Sequence, residues 1–209
     1  MKKSIVNDYR YEKFLSLIYK GNDINTKYIN YFDPSNVKIL DVACGNGTLH
    51  YLLEKKNYKK VTGFDINKEK IQTAQKNHPT YKYFVQDACD SYPFEKNSFD
   101  IVICKDAIEH VYCPKKMIQE ILQVLNPWGF CIVRTPNALR MELEKTICKQ
   151  HIGDAVFQYI SPSVLELLIN SLGGKMVYLN CFSRLPPFDS IYCKFVKKFG
   201  IRKNMTLVS

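Results

Sequence analysis

Two glycines follow a carboxylate at the end of the first apolar run of the chain. Asp41 precedes Gly45 and Gly47, after which a predicted helix begins. A residue without a Cβ lets the backbone approach a ligand and adopt unusual dihedral angles. Asp65 ends the next apolar run, 18 residues after Gly47, where its carboxylate can accept both hydrogen bonds from a ribose diol. The spacing indicates a nucleoside site, and a tight turn without a ligand remains the alternative.

The composition of this turn distinguishes between two nucleotide ligands. A dinucleotide-binding turn carries a third glycine three residues after the second, whereas this chain has His50 there. A carboxylate at Asp41 would also repel a pyrophosphate, but it suits a ligand that carries a cationic amine and a sulfonium. The turn therefore favours S-adenosylmethionine over NAD.

Polar side chains also follow the fourth predicted strand. Asp106, Glu109 and His110 have the spacing i, i+3 and i+4, which places side chains on one face if the segment is an α-helix. Such a set would form half of a divalent-metal site. We favour the alternative in which Glu109 and His110 order a loop. His110 and His151 are candidate general bases because imidazole exchanges protons near neutral pH, although a packed or solvent-facing histidine is as good an interpretation.

Strands and helices alternate along most of the chain, which predicts βαβ units and a parallel sheet. The predicted strands are 37–42, 60–65, 81–85, 99–104, 130–134, 175–182 and 190–196, and the helices are 47–56, 67–77, 114–125 and 161–172. The fold expected is a Rossmann-like, doubly wound α/β fold with a seven-stranded, mostly parallel sheet and an antiparallel last strand. Two further helices are predicted within 7–32. We therefore divide the chain into a helical cap on the acceptor side, 1–36, and a cofactor-binding domain, 37–209.

Five short motifs in the expected order resemble those of class I S-adenosylmethionine-dependent methyltransferases, in particular the ubiquinone-biosynthesis O-methyltransferases. They are Asp41-Val-Ala-Cys-Gly-Asn-Gly47, Phe64-Asp-Ile66, Gln86-Asp-Ala88, the segment from Phe99 to Val111, and Leu125-Asn-Pro-Trp-Gly-Phe130. One such motif is weak evidence. Their agreement in order and spacing over about 37–172 makes the resemblance specific.

The resemblance implies roles for individual residues. It assigns cofactor binding to Asp41, Ala43, Gly45, Gly47, Asp65, Ile66, Asp87, Ala88 and Lys105. In this scheme Asp41 orients the methionine end, Asp65 binds the ribose, and Asp87 accepts from the adenine amine. The acid-x-x-Glu-His pattern resembles a metal-binding pattern of quinone and small-RNA methyltransferases, but related enzymes without metal carry it too. S-adenosylmethionine is thus the expected cofactor, and a divalent metal is a less favoured addition.

The charge of the chain bears on its partners. Thirty basic and 20 acidic residues give a net charge of +10, and such a balance can attract RNA or an anionic membrane surface. A solvated, lysine-rich surface is the simpler interpretation. We expect methyl transfer to the oxygen of a small-molecule acceptor: a sugar, a quinone precursor or a lipid-linked metabolite. An RNA methyltransferase and a non-catalytic cofactor-binding scaffold subunit are the alternatives.

The cysteines and the apolar runs bear on the cellular compartment. The chain has eight cysteines and no Cys-x-x-Cys pair, so a zinc knuckle is not expected. We predict small buried hydrophobic residues in a reducing cytoplasm rather than a disulfide framework. We find no apolar run of the roughly 18 residues that a membrane-spanning helix requires and no signal peptide, so we expect a cytoplasmic protein.

Overall fold

A computed structural model describes residues 33–136, 160–182 and 190–197 of this chain. The strands are β1 (Lys38–Val42), β2 (Lys60–Asp65), β3 (Lys82–Val85), β4 (Phe99–Lys105), β5 (Leu125–Pro136), β6 (Gly174–Phe182) and β7 (Ser190–Lys197). The helices are α1 (Thr48–Lys55), α2 (Lys68–Asn77), α3 (Pro114–Val124) and α4 (Pro162–Ser171), with a 3-10 helix at Ile108–His110.

The seven strands form one sheet in the order β3-β2-β1-β4-β5-β7-β6. The strands from β1 to β5 pair in parallel, and β7 lies antiparallel between β5 and β6. The strand order reverses direction between β1 and β4, so the carboxyl ends of these two strands flank a topological switch point, where open α/β sheets bind ligands. The predicted fold class is confirmed, including the antiparallel pair of last strands.

Both faces of the sheet are buried. Neighbouring residues of each central strand point to opposite sides and so belong to two separate cores. On β4, Val102 and Cys104 belong to the core cluster that contains the apolar faces of α3 and α4. Ile101 and Ile103 belong to a second cluster on the opposite face, with Leu53 of α1. This two-sided burial explains why the central strands read as continuous apolar runs.

Local sequence signals account for where two of the helices begin. The Asn67 side chain accepts a hydrogen bond of 2.8 Å from the Lys70 N–H at the start of α2. Ser161 accepts one of 3.3 Å from the Val164 N–H at the start of α4, where Pro162 occupies the first position. Both are ordinary N-caps that satisfy backbone donors without partners in the helix.

The structure differs from two of the expectations. Residues 126–129, which lie between the predicted helix 114–125 and the predicted strand 130–134, belong to β5, which begins at Leu125. The pairing of β5 with β4 changes register between Phe99 and Ile101. The residues after β4 do not form an α-helix, since Asp106 has a left-handed φ of 51° and only the short 3-10 helix follows. The less favoured alternative, in which Asp106, Glu109 and His110 share one face of an α-helix, is therefore not what the structure shows.

The predicted N-terminal helices and the 1–36 cap fall almost entirely outside the described residues, so the domain division stays a prediction. Within 33–136, 160–182 and 190–197, no helix combines the length and apolar character needed to cross a bilayer.

The prediction of unpaired cysteines is wrong for two of them. Cys89, after β3, forms a disulfide with Cys113, which immediately precedes α3, and their Cα atoms lie 5.8 Å apart. Cys104 and Cys131 are fully buried, as expected of small apolar residues. The two cysteines are 24 positions apart and the segment between them contains all of β4, so only the folded sheet brings these two loops together.

Replacing both Cys89 and Cys113 by serine is expected to lower the free energy of unfolding by about 3 kcal/mol. The disulfide closes a loop of 24 residues, and opening such a loop restores entropy to the unfolded chain. Urea denaturation of the oxidised protein measures the change. Dithiothreitol should destabilise the native chain by a similar amount and leave the double variant unaffected. Equal stability of the oxidised and reduced native chain contradicts this prediction.

Candidate functional site

The carboxylates predicted to act together lie at one edge of the sheet. Asp41 pairs with Gly63 across β1 and β2, and Asp65 pairs with Val85 across β2 and β3. Asp87 lies two residues beyond the end of β3. Because these strands are parallel neighbours, the three residues lie at the same carboxyl-end edge of the sheet.

Asp65 links the glycine turn to the second strand. Its Oδ2 accepts a hydrogen bond of 2.9 Å from the Gly45 N–H, and its Oδ1 accepts one of 2.9 Å from the Asn67 N–H. The side chain is buried. Each carboxylate oxygen has a second lone pair, so Asp65 can hold the turn and still accept from ligand hydroxyls.

The turn between β1 and α1 has the backbone geometry of a ligand cradle. Gly45 has a φ of +57°, and a Cβ placed there would meet nothing within 4 Å. Gly47 has a φ of +77° and lies against His50, Ala74 and His78. Ala43 adopts a φ of 57°, which a residue with a Cβ rarely does. The space beside Gly45 is open to a ligand, whereas Gly47 is needed for close packing.

Replacing Ala43 by glycine is expected to raise the free energy of unfolding by about 1 kcal/mol, because glycine adopts a left-handed conformation without the steric cost that alanine incurs. Thermal denaturation measures the shift. The matched control is Ala74→Gly within α2, which should destabilise the protein by about 1 kcal/mol or more. A loss of stability in both variants would show that φ at Ala43 is not the dominant effect.

Apolar and polar residues of the candidate site directly follow β2 and β3. Ile66, next to Asp65, is 66% exposed, an unusual exposure for an isoleucine at the end of a central strand. The Asp87 side chain accepts a hydrogen bond of 2.8 Å from the Cys89 N–H, which shapes its loop. Ala88 is buried in the core, so it can offer a ligand only its backbone.

Lys105, the last residue of β4, and Asp106, the next residue, are exposed at the same edge. Asp106 Oδ2 lies 2.9 Å from Arg134 Nη1 and 3.8 Å from Lys105 Nζ. The Asp106 N–H also donates to the Arg134 carbonyl oxygen at 2.8 Å. These contacts fasten the chain as it leaves β4 to the end of β5, and they direct the Asp106 carboxylate toward Arg134 rather than toward Glu109.

Glu109 and His110 face different surroundings. Glu109 is 1% exposed and accepts a hydrogen bond of 2.9 Å from Thr135 Oγ1. Burial raises the pKa of its carboxyl, and the Thr135 hydrogen bond partly offsets that rise. The His110 side chain is 43% exposed, with Nε2 3.9 Å from Glu109 Oε1. Glu109 therefore links the 3-10 helix to β5, whereas the His110 imidazole is partly exposed to solvent.

The candidate metal ligands do not converge. In the part of the chain that the structure describes, no three His, Cys, Asp or Glu side chains are grouped closely enough to hold a metal ion. Asp106 faces Arg134, and Glu109 faces Thr135. His151, the other predicted general base, lies outside the described residues.

A family model described as "Methyltransferase domain" matches residues 33–167, which is more than half of the chain. The chain belongs to this methyltransferase domain family. Its fold and motifs are those of a class I S-adenosylmethionine-dependent methyltransferase.

Three comparisons place this methyltransferase among known proteins. It is 33% identical over 131 residues to a ubiquinone biosynthesis O-methyltransferase of Rickettsia typhi, covering 58% of this chain and 52% of that protein. It is 25% identical over 166 residues to a demethylmenaquinone methyltransferase of Chlorobaculum tepidum, covering 79% and 66%. A crystal structure of a Pyrococcus horikoshii protein superposes with a TM-score of 0.68 at 22% identity, over 93% of this chain and 94% of that one. The chain spans about half the length of the Rickettsia relative.

The methyltransferase site suits S-adenosylmethionine on the observed geometry. S-adenosylmethionine carries an apolar purine, a ribose diol and a cationic amino acid. The site offers these groups an open space beside Gly45, the exposed Ile66 side chain and three carboxylates at one edge of the sheet. Cys44, in the same turn, is an unreactive thiol, because burial and then the nearby Asp41 and Asp65 raise its pKa. Methyl transfer needs no covalent enzyme intermediate, so an inert thiol at this place is compatible with the chemistry.

Sequence reasoning missed one functional neighbour of Asp41. His50 was noted only as the residue that replaces a glycine. In the structure its imidazole is fully buried, and Nε2 lies 3.0 Å from Asp41 Oδ2. The sequence carries a signal for this contact, because a histidine at position 50 is an unusual polar residue on the buried face of a short helix.

Proposed function

We propose that this chain transfers a methyl group from S-adenosylmethionine to a hydroxyl oxygen of a small-molecule acceptor. The observation that carries the proposal is the convergence of Asp41, Asp65 and Asp87 at one edge of three neighbouring parallel strands. S-adenosylmethionine supplies an electrophilic methyl group on a sulfonium, so the protein has to align the acceptor and remove its proton.

In this proposal, Asp65 accepts from the ribose hydroxyls while it holds the Gly45 N–H. Asp41 faces the ammonium group of the methionine end, and Asp87 accepts from the adenine amine. Ile66 packs on the purine, which accounts for the exposure of this apolar side chain. Ala43, Gly45, Gly47, Ala88 and Lys105 complete the proposed cofactor contacts.

His110 is the proposed proton acceptor. His110 follows β4, whose carboxyl end lies at the same edge of the sheet as those of β1 to β3, and its side chain is half exposed. Glu109 holds the 3-10 helix in place through Thr135. The hydroxyl proton of the acceptor passes to His110 as the acceptor oxygen bonds to the methyl carbon and the carbon–sulfur bond breaks. His151 is the second candidate for this role.

A quinone precursor is the acceptor class that we favour among the sugar, quinone precursor and lipid-linked metabolite considered. The relatives named for ubiquinone and demethylmenaquinone support this choice. The helical cap predicted at 1–36 and the segment near 135–160 are the proposed sources of the acceptor pocket.

Calorimetry with S-adenosylmethionine, followed by a radiolabel transfer screen across acceptor classes, tests the proposal. Binding together with label transfer to a small-molecule hydroxyl supports it. Cofactor binding with no transfer to any acceptor pool favours the scaffold alternative. Absence of cofactor binding overturns the proposal.

An RNA acceptor is the second candidate, and the net charge of +10 is the observation that favours it. RNA binding that weakens steeply with salt, because counterions are released from phosphates, would support this alternative. Label transfer to RNA rather than to small molecules would establish it. An anionic membrane surface is a further proposed partner, and sedimentation with anionic vesicles tests it.

A further inference from the structure

His50 lies on α1 with both ring nitrogens close to oxygen atoms. Nε2 is 3.0 Å from Asp41 Oδ2, and Nδ1 is 2.7 Å from the Tyr83 hydroxyl. The imidazole is fully buried, and the Asp41 side chain is almost so. His50 therefore bridges a side chain of β1 and one of β3, directly behind the glycine turn.

The partners of His50 favour one tautomer. An ionised carboxylate can only accept hydrogen bonds, so Nε2 carries the proton that faces Asp41. Nδ1 then accepts from the Tyr83 hydroxyl. Burial is the main cause that raises the pKa of Tyr83, which keeps the phenol protonated and able to donate. The chain of donors runs from Tyr83 through His50 to Asp41.

Packing holds the ring in this place. A Cβ at Gly63 of β2 would lie 2.9 Å from His50 Cε1 and 2.8 Å from Cys44 Sγ. Only glycine therefore leaves room for the imidazole there.

The Nε2–H is near Asp41 Oδ2 but poorly aligned with it, since Nε2 has no well-formed hydrogen bond. Hydrogen bonds at binding and catalytic sites often become better aligned in the complex with the ligand.

We propose that His50 is a positioning residue for S-adenosylmethionine: its Nε2–H holds one oxygen of Asp41 so that the carboxylate faces the ammonium group of the cofactor. The inference rests on the proposed function, because Asp41 is a cofactor ligand only if the chain binds S-adenosylmethionine. A buried carboxylate with no donor would turn or take up a proton, and either change would weaken its attraction for a cation.

Two amide variants separate this role from packing. Glutamine places its amide nitrogen where Nε2 of histidine lies, and asparagine reaches only the place of Nδ1. His50→Gln should keep the affinity for S-adenosylhomocysteine within about threefold of the native value, whereas His50→Asn should lower it about tenfold or more, as expected when a hydrogen bond to a charged group is lost. Isothermal titration calorimetry measures both affinities.

A second readout distinguishes positioning from general damage. His50→Asn should raise the KM for S-adenosylmethionine while kcat at saturating cofactor and the KM for the acceptor change little. Tyr81→Phe is the control, because it removes a buried hydrogen bond of 2.7 Å from the Tyr81 hydroxyl to the Tyr58 carbonyl oxygen and leaves the ring and the His50–Asp41 pair in place. It should lower the thermal midpoint without changing cofactor affinity.

The outcomes separate this inference from the proposed function. If the native chain does not bind S-adenosylhomocysteine, the proposed function fails. If it binds and the glutamine and asparagine variants behave alike, or Tyr81→Phe weakens binding as much as His50→Asn, only the role of His50 is overturned. Should His50→Asn fail to fold, the nitrogen-15 spectrum of the native imidazole still decides, since a proton on Nδ1 instead of Nε2 contradicts the inference.

Discussion

Replacing Asp65 by alanine is expected to weaken S-adenosylhomocysteine binding about 100-fold or more. In the native structure the buried carboxylate holds the Gly45 and Asn67 N–H groups, each at 2.9 Å. In the proposed complex it also accepts from two ribose hydroxyls. Hydrogen bonds to a charged group contribute about 1.5–3 kcal/mol each, and every 1.4 kcal/mol is about tenfold in affinity. Loss of both ribose contacts alone accounts for the expected change, which calorimetry measures.

Two variants control the Asp65 experiment. Glu95→Ala removes an exposed carboxylate and should leave the affinity unchanged, so it corrects for net charge. Asp65→Asn keeps the shape but loses the charge and one acceptor, and should fall between the native chain and Asp65→Ala. Native affinity in Asp65→Ala, with the fold intact by circular dichroism, would remove Asp65 from the cofactor site.

The largest effect on turnover is expected from His110→Ala. A positioned general base contributes about 10²–10⁴-fold, so kcat should fall at least about 100-fold. Binding of S-adenosylhomocysteine should stay within about twofold, because the half-exposed His110 side chain is assigned to the acceptor and not to the cofactor. Radiolabel transfer at saturating substrates and calorimetry measure the two quantities.

Lys115→Ala is the matched control for His110, since it removes an exposed basic side chain from the start of α3 without altering the 3-10 helix. It should keep native turnover. Full turnover in His110→Ala would exclude His110 as the base and make His151→Ala the next variant. A parallel loss of turnover and cofactor binding would instead show that His110 maintains the structure of the site.

Much of the fold and of the cofactor edge could be predicted, because both depend on local patterns. An apolar run closed by an acid, as at Asp65, marks the end of a buried strand, and parallel strands bring such ends together. The same argument failed at Asp106. There the spacing to Glu109 and His110 was interpreted on an α-helix, but the ion pair with Arg134 and the left-handed backbone hold the segment in another conformation.

The sequence by itself determined the strand–helix order, the glycine turn and the edge at which three carboxylates lie. Each of these follows from residues close together in the chain. The tertiary structure alone decided that Cys89 bonds to Cys113, that Glu109 faces Thr135, and that His50 lies between Asp41 and Tyr83. Except for His50 and Asp41, the two residues of each pair are 24 to 33 positions apart in the chain. Their side chains meet only because sheet packing sets the distance between neighbouring elements. Hydrophobic periodicity specifies which face of an element is buried, but not which polar side chains share that interior.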